Sequence, residues 1–180
     1  MLQADQLEFL RSHQGWKGKN LKPAKKIKIG GIIQTEGMAQ IELLGLPEHS
    51  GLAGRVFKVL GERGINLQFI VQTTDRRRRE KIVFCLAEDD LEGTTNILEQ
   101  IRGPIGLEEF RVLSPVEIIS IFGPHFRERP SIAGTIFAAF NKAQIEMLAI
   151  STSISTLSFV IKKEIRSKVI DTIKDTFDLP

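Results

Sequence analysis

Apolar and polar positions alternate in short blocks along most of the chain, and the period of each block predicts an element. Ile27, Ile29, Ile32 and Ile33 predict a strand, ended by the turn signal Glu36 and Gly37. Ala39-Gln40-Ile41-Glu42-Leu43 alternates strictly, as a half-buried strand does, and runs into a loop over residues 45–51. Leu52, Val56, Val59 and Leu60 then recur at helical spacing, and Gly64 stands where a left-handed C-terminal cap belongs. Residues 65–72 and 82–86 read as strands around an exposed polar loop, residues 73–81. Asp89 or Asp90 can cap a helix whose core face is Leu91, Ile97, Leu98 and Ile101. Residues 110–113 form one more strand, punctuated by Pro115.

The order then restarts. Residues 116–121 predict a strand and residues 123–130 a loop. Ile132, Ile136, Phe137 and Phe140 line a helix face. Residues 145–150 and 157–161 predict strands, and Ile165, Val169, Ile173 and Phe177 line a last helix. The second half repeats the first: Ala53, Gly54, Phe57 and Ile65 recur 80 positions on as Ala133, Gly134, Phe137 and Ile145, and Gly45 recurs 78 positions on as Gly123. The unit is strand–helix–strand–strand–helix. Only the first copy has a strand after its second helix, and the strand at residues 27–33 has no place in that copy. The leading strand is therefore expected to complete the second sheet, which interlocks the halves. The boundaries expected are a basic arm at residues 1–26, one repeat at residues 38–115, and the other at residues 27–34 plus 116–180.

Composition narrows the class. The chain has 180 residues, 42% hydrophobic and 26% charged, which are globular values. The single cysteine, Cys85, forms no internal disulfide and reads as core, so a reducing, cytoplasmic setting is expected. No apolar run approaches the ~20 residues that span a bilayer, and no signal-peptide core opens the chain. Residues 1–26 carry six Lys/Arg against two acids, a net +4, which leaves the rest at −1 against the chain's total of +3. Within that stretch, residues 12–26 read as a linker and residues 5–10 as a short helix. The arm can touch an acidic partner or stay solvated. His13, His49 and His125 lack metal-ligand spacing, so no metal is expected, and no cofactor motif or nucleophile–base pair is readable. The four arginines at residues 76–79 suit phosphate or RNA, or a solvated hairpin tip; with one Trp and no Tyr, nucleic acid is not the expected partner.

The repeat unit, closed by its fourth strand, is βαββαβ: an α+β fold of ferredoxin-like repeats, each an antiparallel sheet with helices on one face. Gly45-Leu46-Pro47-Glu48-His49-Ser50-Gly51-Leu52-Ala53-Gly54-Arg55-Val56-Phe57 resembles the first strand, loop and first helix of ACT domains. Gly64-Ile65-Asn66-Leu67-Gln68-Phe69-Ile70-Val71-Gln72 is similar to the second strand of the first ACT repeat in aspartokinases. Pro130, Ala133, Phe137, Ile150-Ser151-Thr152-Ser153 and Ser158-Phe159-Val160-Ile161 resemble the second repeat. The likeness covers about residues 27–180, and in that family the leading strand completes the second repeat. The family's Lys-Tyr-Gly-Gly phosphate-binding opening has no counterpart, because the chain has no tyrosine, and no P-loop is readable. The resemblance implies a non-catalytic, homodimeric regulatory module that senses an amino acid of aspartate-family biosynthesis and acts on a kinase subunit. Two alternatives stay open: a two-ACT transcriptional regulator of the glycine-cleavage-repressor type, and an assembly-only ACT protein.

A free amino acid brings a carboxylate, which suits the unpaired N–H groups and partial positive charge of a helix start. The family analogy places effectors there. In the first repeat the candidates are Glu48 for the ammonium, Ser50, Gly51, Leu52 and Ala53 at the helix start, and Asn66 and Gln72 for side-chain hydrogen bonds. Gly51 can also simply serve the turn, Glu48 can equally be a solvated loop residue, and Gln72 can equally face solvent. In the second repeat the corresponding residues are Glu128, Ser131, Ile132, Ala133, Glu146, Met147 and Thr152. Departures from the family pattern fall mostly there: Ser131 replaces a usual Gly, Glu146 a frequent Asn, and Ile154 a usual acid. In the first repeat Glu48 stands for Asp and Ser50 for Pro. The first site is favoured.

Overall fold

Two long strands organise the molecule. β2 (Gly31–Pro47) and β5 (Glu109–Phe122) run antiparallel, and each belongs to both halves. The other elements are β1 (Ile27–Lys28), α1 (Leu52–Glu62), β3 (Phe69–Thr74), β4 (Arg79–Ala87), α2 (Leu91–Ile101), α3 (Ile132–Lys142), β6 (Ala149–Thr152), β7 (Thr156–Lys162), α4 (Arg166–Thr176) and β8 (Phe177–Asp178). The computed structural model describes residues 26–47, 51–123 and 132–180. The helix expected at residues 5–10, all but Lys26 of the linker expected at residues 12–26, and most of the loop at residues 123–130 lie outside them.

The sheet has six strands in the order β3-β4-β2-β5-β7-β6. In the first half, β3, β4, the later part of β2 and the early part of β5 form a ferredoxin-like sheet. In the second half, β6, β7 and the later part of β5 are completed by Gly31 to Thr35 of β2, whose partners run from Phe122 to Ile118. The leading strand thus interlocks the two repeats. β1 adds a short parallel pair with β8.

Each half packs its helices on one face. Leu52, Val56 and Leu60 of α1, with Ile97 and Leu98 of α2, cover Ile41, Leu43, Ile82, Phe84 and Leu86. Ile132, Ile136 and Phe140 of α3, with Val169 and Ile173 of α4, cover Ile119, Ile121, Phe159 and Ile161. These strand residues sit two apart and those of α1, α3 and α4 four apart, so each core follows the two periods of the sequence. A third cluster joins the helix-free faces of both halves: Met38, Phe69 and Cys85 with Val116, Ile118 and Val160. β3 and β6, the end strands of the sheet, accordingly lie close together.

Several expectations need correction. Glu36 and Gly37 do not end a strand. Register shifts between Thr35 and Met38, so these two residues form a bulge inside β2, with Gly37 at φ 66. Pro115 likewise interrupts pairing without ending β5. The strands expected from residues 65 and 145 begin only at Phe69 and Ala149, because both helices end in a short turn whose N–H at Ile65 or Ile145 bonds back to Leu60 or Phe140. Asp90 precedes α2 but makes no side-chain cap; Glu88–Asp90 form a short 3-10 turn instead, and Thr94 Oγ1 donates to the Asp90 carbonyl at 2.8 Å. Phe137, expected on the core face, is 43% exposed, and Phe177 is buried from β8 rather than from the helix. Gly64 has φ 78, as a cap glycine should.

Candidate functional site

The first-repeat candidates cluster around the start of α1. Gly51 occupies the N-cap position at φ 63, a conformation that disfavours any side chain, and an added Cβ would meet nothing within 4 Å. Its carbonyl accepts from the Arg55 N–H at 3.1 Å, the first helical bond. Gly51 brings no side-chain cap and no acid sits in the first turn, so nothing within the helix offsets its positive end. Leu52 is buried in the core, whereas Ala53 is half-buried and Gly51 exposed. Glu48 and Ser50 lie outside the described residues.

The fold separates the remaining pair. Gln72 is exposed on β3, opposite Ile82, whose other neighbour is Leu43; this level is near the end of β2 that leads to α1. Asn66 lies beyond the far end of α1, and eleven helical residues span about 16 Å. One copy of the chain therefore brings Gln72, but not Asn66, toward the helix start. The second repeat follows the same plan. Ile132 is buried and Ala133 exposed at the start of α3, which has no acid in its first turn. Thr152 is exposed opposite Leu157 at the near end of β6. Exposed Glu146 and half-buried Met147 precede β6 at the far end. Glu128 and Ser131 are outside the described residues.

The arginine run is better ordered than an exposed loop suggests. The Asp75 carboxylate accepts from the backbone N–H groups of Arg77 at 2.7 Å and Arg79 at 2.9 Å, which stitches the β3–β4 turn. Beside this turn lies a cleft of about 390 Å³, lined by Arg77, Arg79, Lys81, Asp75, Glu80 and Glu108. Arg79 pairs with Glu108, and Lys81 with Glu42 at 3.2 Å, so the charges there largely balance. Strand alternation could have placed Arg79 and Lys81 on one face; their carboxylate partners come from β2 and from the residue just before β5, which no local signal announces. Cys85 is buried in the third cluster, and burial pushes its thiol up to about 12, which leaves it unreactive. Among the described residues no cluster of metal-ligating side chains occurs.

Two family models, both described as ACT domain, match residues 40–103 and 119–177. The chain belongs to the ACT-domain family. Each match falls on one half of the interlocked sheet, so the ACT pair is in tandem. An aspartokinase of Thermus thermophilus is 30% identical over 156 residues, 84% of this chain. That of Mycolicibacterium smegmatis is 24% identical over 159 residues, 87% of this chain. The chain spans 38% of the length of both relatives. Among solved structures, the ligand-free regulatory subunit of aspartate kinase from Thermus thermophilus superposes with a TM-score of 0.75 at 26% identity, over 83% of this chain and 99% of that one. The ACT pair is thus a regulatory module similar to aspartokinase regulatory subunits.

Proposed function

We propose that this ACT pair is a non-catalytic, cytoplasmic sensor that binds a free amino acid and reports it to a separate aspartate kinase subunit. The observation that carries this reading is the likeness to a regulatory subunit of aspartate kinase over 99% of that chain. The local chemistry supports it. The start of α1 offers N–H donors to a carboxylate, with Gly51 leaving the approach open, and Glu48 supplies a charge for the ammonium. Gln72 adds a side-chain hydrogen bond from the edge strand. Asn66 contributes only from a second copy, which agrees with a homodimer whose sites lie between subunits. Binding then biases the packing of repeats or subunits, and the kinase subunit responds to that change. The second repeat, with Ser131 and Glu146 in place of the usual residues, is the weaker site.

A thermal-shift screen of the full chain against the twenty amino acids, meso-diaminopimelate and S-adenosylmethionine tests this. One amino acid should raise the melting temperature, because a ligand at 100 times its Kd adds about 2.7 kcal/mol. Glu48→Ala should abolish that shift. No shift at millimolar concentrations would overturn amino-acid sensing and leave assembly or nucleic-acid binding as the role.

A further inference from the structure

β2 and β5 both cross between the halves, and both are interrupted at the crossing, at Glu36 and Gly37 and at Ser114 and Pro115. Among the described residues, the buried side-chain atoms without a hydrogen-bond partner are Gln40 Oε1 and Glu117 Oε2, and each lies within three residues of an interruption. Such atoms are uncommon in folded proteins, and a buried carboxylate oxygen is the costlier kind.

Glu117 is fully buried on β5, opposite Ile161 of β7. Its Oε1 lies 3.4 Å from Arg166 Nη1 at the start of α4. The same Nη1 lies 2.7 Å from Oε1 of Glu36, in the β2 bulge. One guanidinium therefore links both crossing strands to α4, and it sits closer to the exposed carboxylate than to the buried one. Lys163, in the turn before α4, is the other cation acting on Glu117, and β7 presents only the apolar Ile161 there. An ionised Glu117 would hold one long contact and an oxygen with none, where water would fill about four lone-pair sites.

We propose that Glu117 is a proton-controlled latch at the crossing of the two repeats. As a neutral acid it tolerates its place, and Arg166 stays on Glu36. On ionisation it competes with Glu36 for Arg166 or draws in water, and the crossing loosens. Burial holds its carboxyl above the usual range; Arg166 opposes this, Glu36 reinforces it, and Lys163 opposes it. The latch depends on the fold and the ion cluster alone, whatever the ACT pair binds.

A carboxyl raised in the folded state keeps its proton to higher pH than in the unfolded chain. The stability it confers is full below the unfolded carboxyl range and falls as pH rises through the folded value. Thermal unfolding and hydrogen exchange of the full chain and of Glu117→Gln are compared from pH 4.5 to 8.5. The wild type should lose melting temperature with rising pH relative to Glu117→Gln, the variant lying higher at pH 8.5 and level at pH 4.5. After correction for intrinsic exchange, peptides over residues 34–40 and 114–118 should open faster with pH in the wild type only, by up to tenfold per pH unit within the window. Parallel curves, or a variant less stable at pH 8.5, would overturn the latch. Arg166→Gln keeps the idea testable if Glu117→Gln fails to fold. Losing the nearest cation should extend the wild-type loss to higher pH, moving the upper end of the window up, and an unmoved upper end rejects the latch.

Discussion

Gln40 shows how one residue can work against its surroundings. Its cross-strand neighbours are Cys85 and Leu113, and it stands where the second repeat has Ile118, 78 positions on. Ile118 packs in the third cluster, whereas the buried Gln40 reaches only the Glu42 carboxylate, at 3.4 Å, through Nε2. Gln40→Leu should therefore stabilise the chain, by roughly 1 kcal/mol, because it removes an unsatisfied buried oxygen and adds apolar contact. Urea denaturation checks this as a higher midpoint at unchanged slope. A lower midpoint would mean that the amide is hydrogen-bonded in solution. Alternation placed Gln40 on a face of its strand, but could not show that this face is buried as well. Phe137 fails in the opposite sense: helical spacing put it on the core face, yet Ile132, Ile136 and Phe140 already fill the contact with the sheet.

At the scale of elements, the local periods were readable and the continuity of strands was not. The helices and the strands around Phe84 and Phe159 lie where spacing placed them, since each buries one face on its own repeat. Glu36, Gly37 and Pro115 are ordinary terminators, and only pairing with a partner strand carries β2 and β5 through them. The dependence of the second sheet on residues 31–35 was legible by counting strands, and the proposed repeat boundaries make a test of it. Expressed alone, residues 116–180 lack their fourth strand, and residues 38–115 expose Met38, Phe69 and Cys85 from the third cluster. Neither should unfold cooperatively by circular dichroism. A cooperatively folded 38–115 fragment would count against the interlock as a condition of folding.

At the scale of the whole molecule, β3 and β6 end the sheet with outer edges unpaired among the described residues, and Ile70 on β3 is 47% exposed. An edge of that kind calls for cover, and the proposed site needs Asn66 from elsewhere. Light scattering at micromolar concentration should give twice the chain's 20.2 kDa. A 20.2 kDa particle would count against the homodimer and against a site shared between subunits.

The division between sequence and structure follows from the range of the interactions. Alternation, helical spacing, the 80-residue repeat and a glycine such as Gly64 act within a few residues or by simple recurrence, so they carry the fold class, the ACT likeness and the start of α1 as a candidate site. Apart from the interlock, which counting strands revealed, what needed two distant segments was decided by packing. The third cluster joins Cys85 to Val160, the Asp75 turn meets a cleft lined by Glu108, and Arg166 reaches Glu36 and Glu117 on two strands. No spacing rule encodes those distances, because burial and charge pairing are set only once both strands cross between the halves.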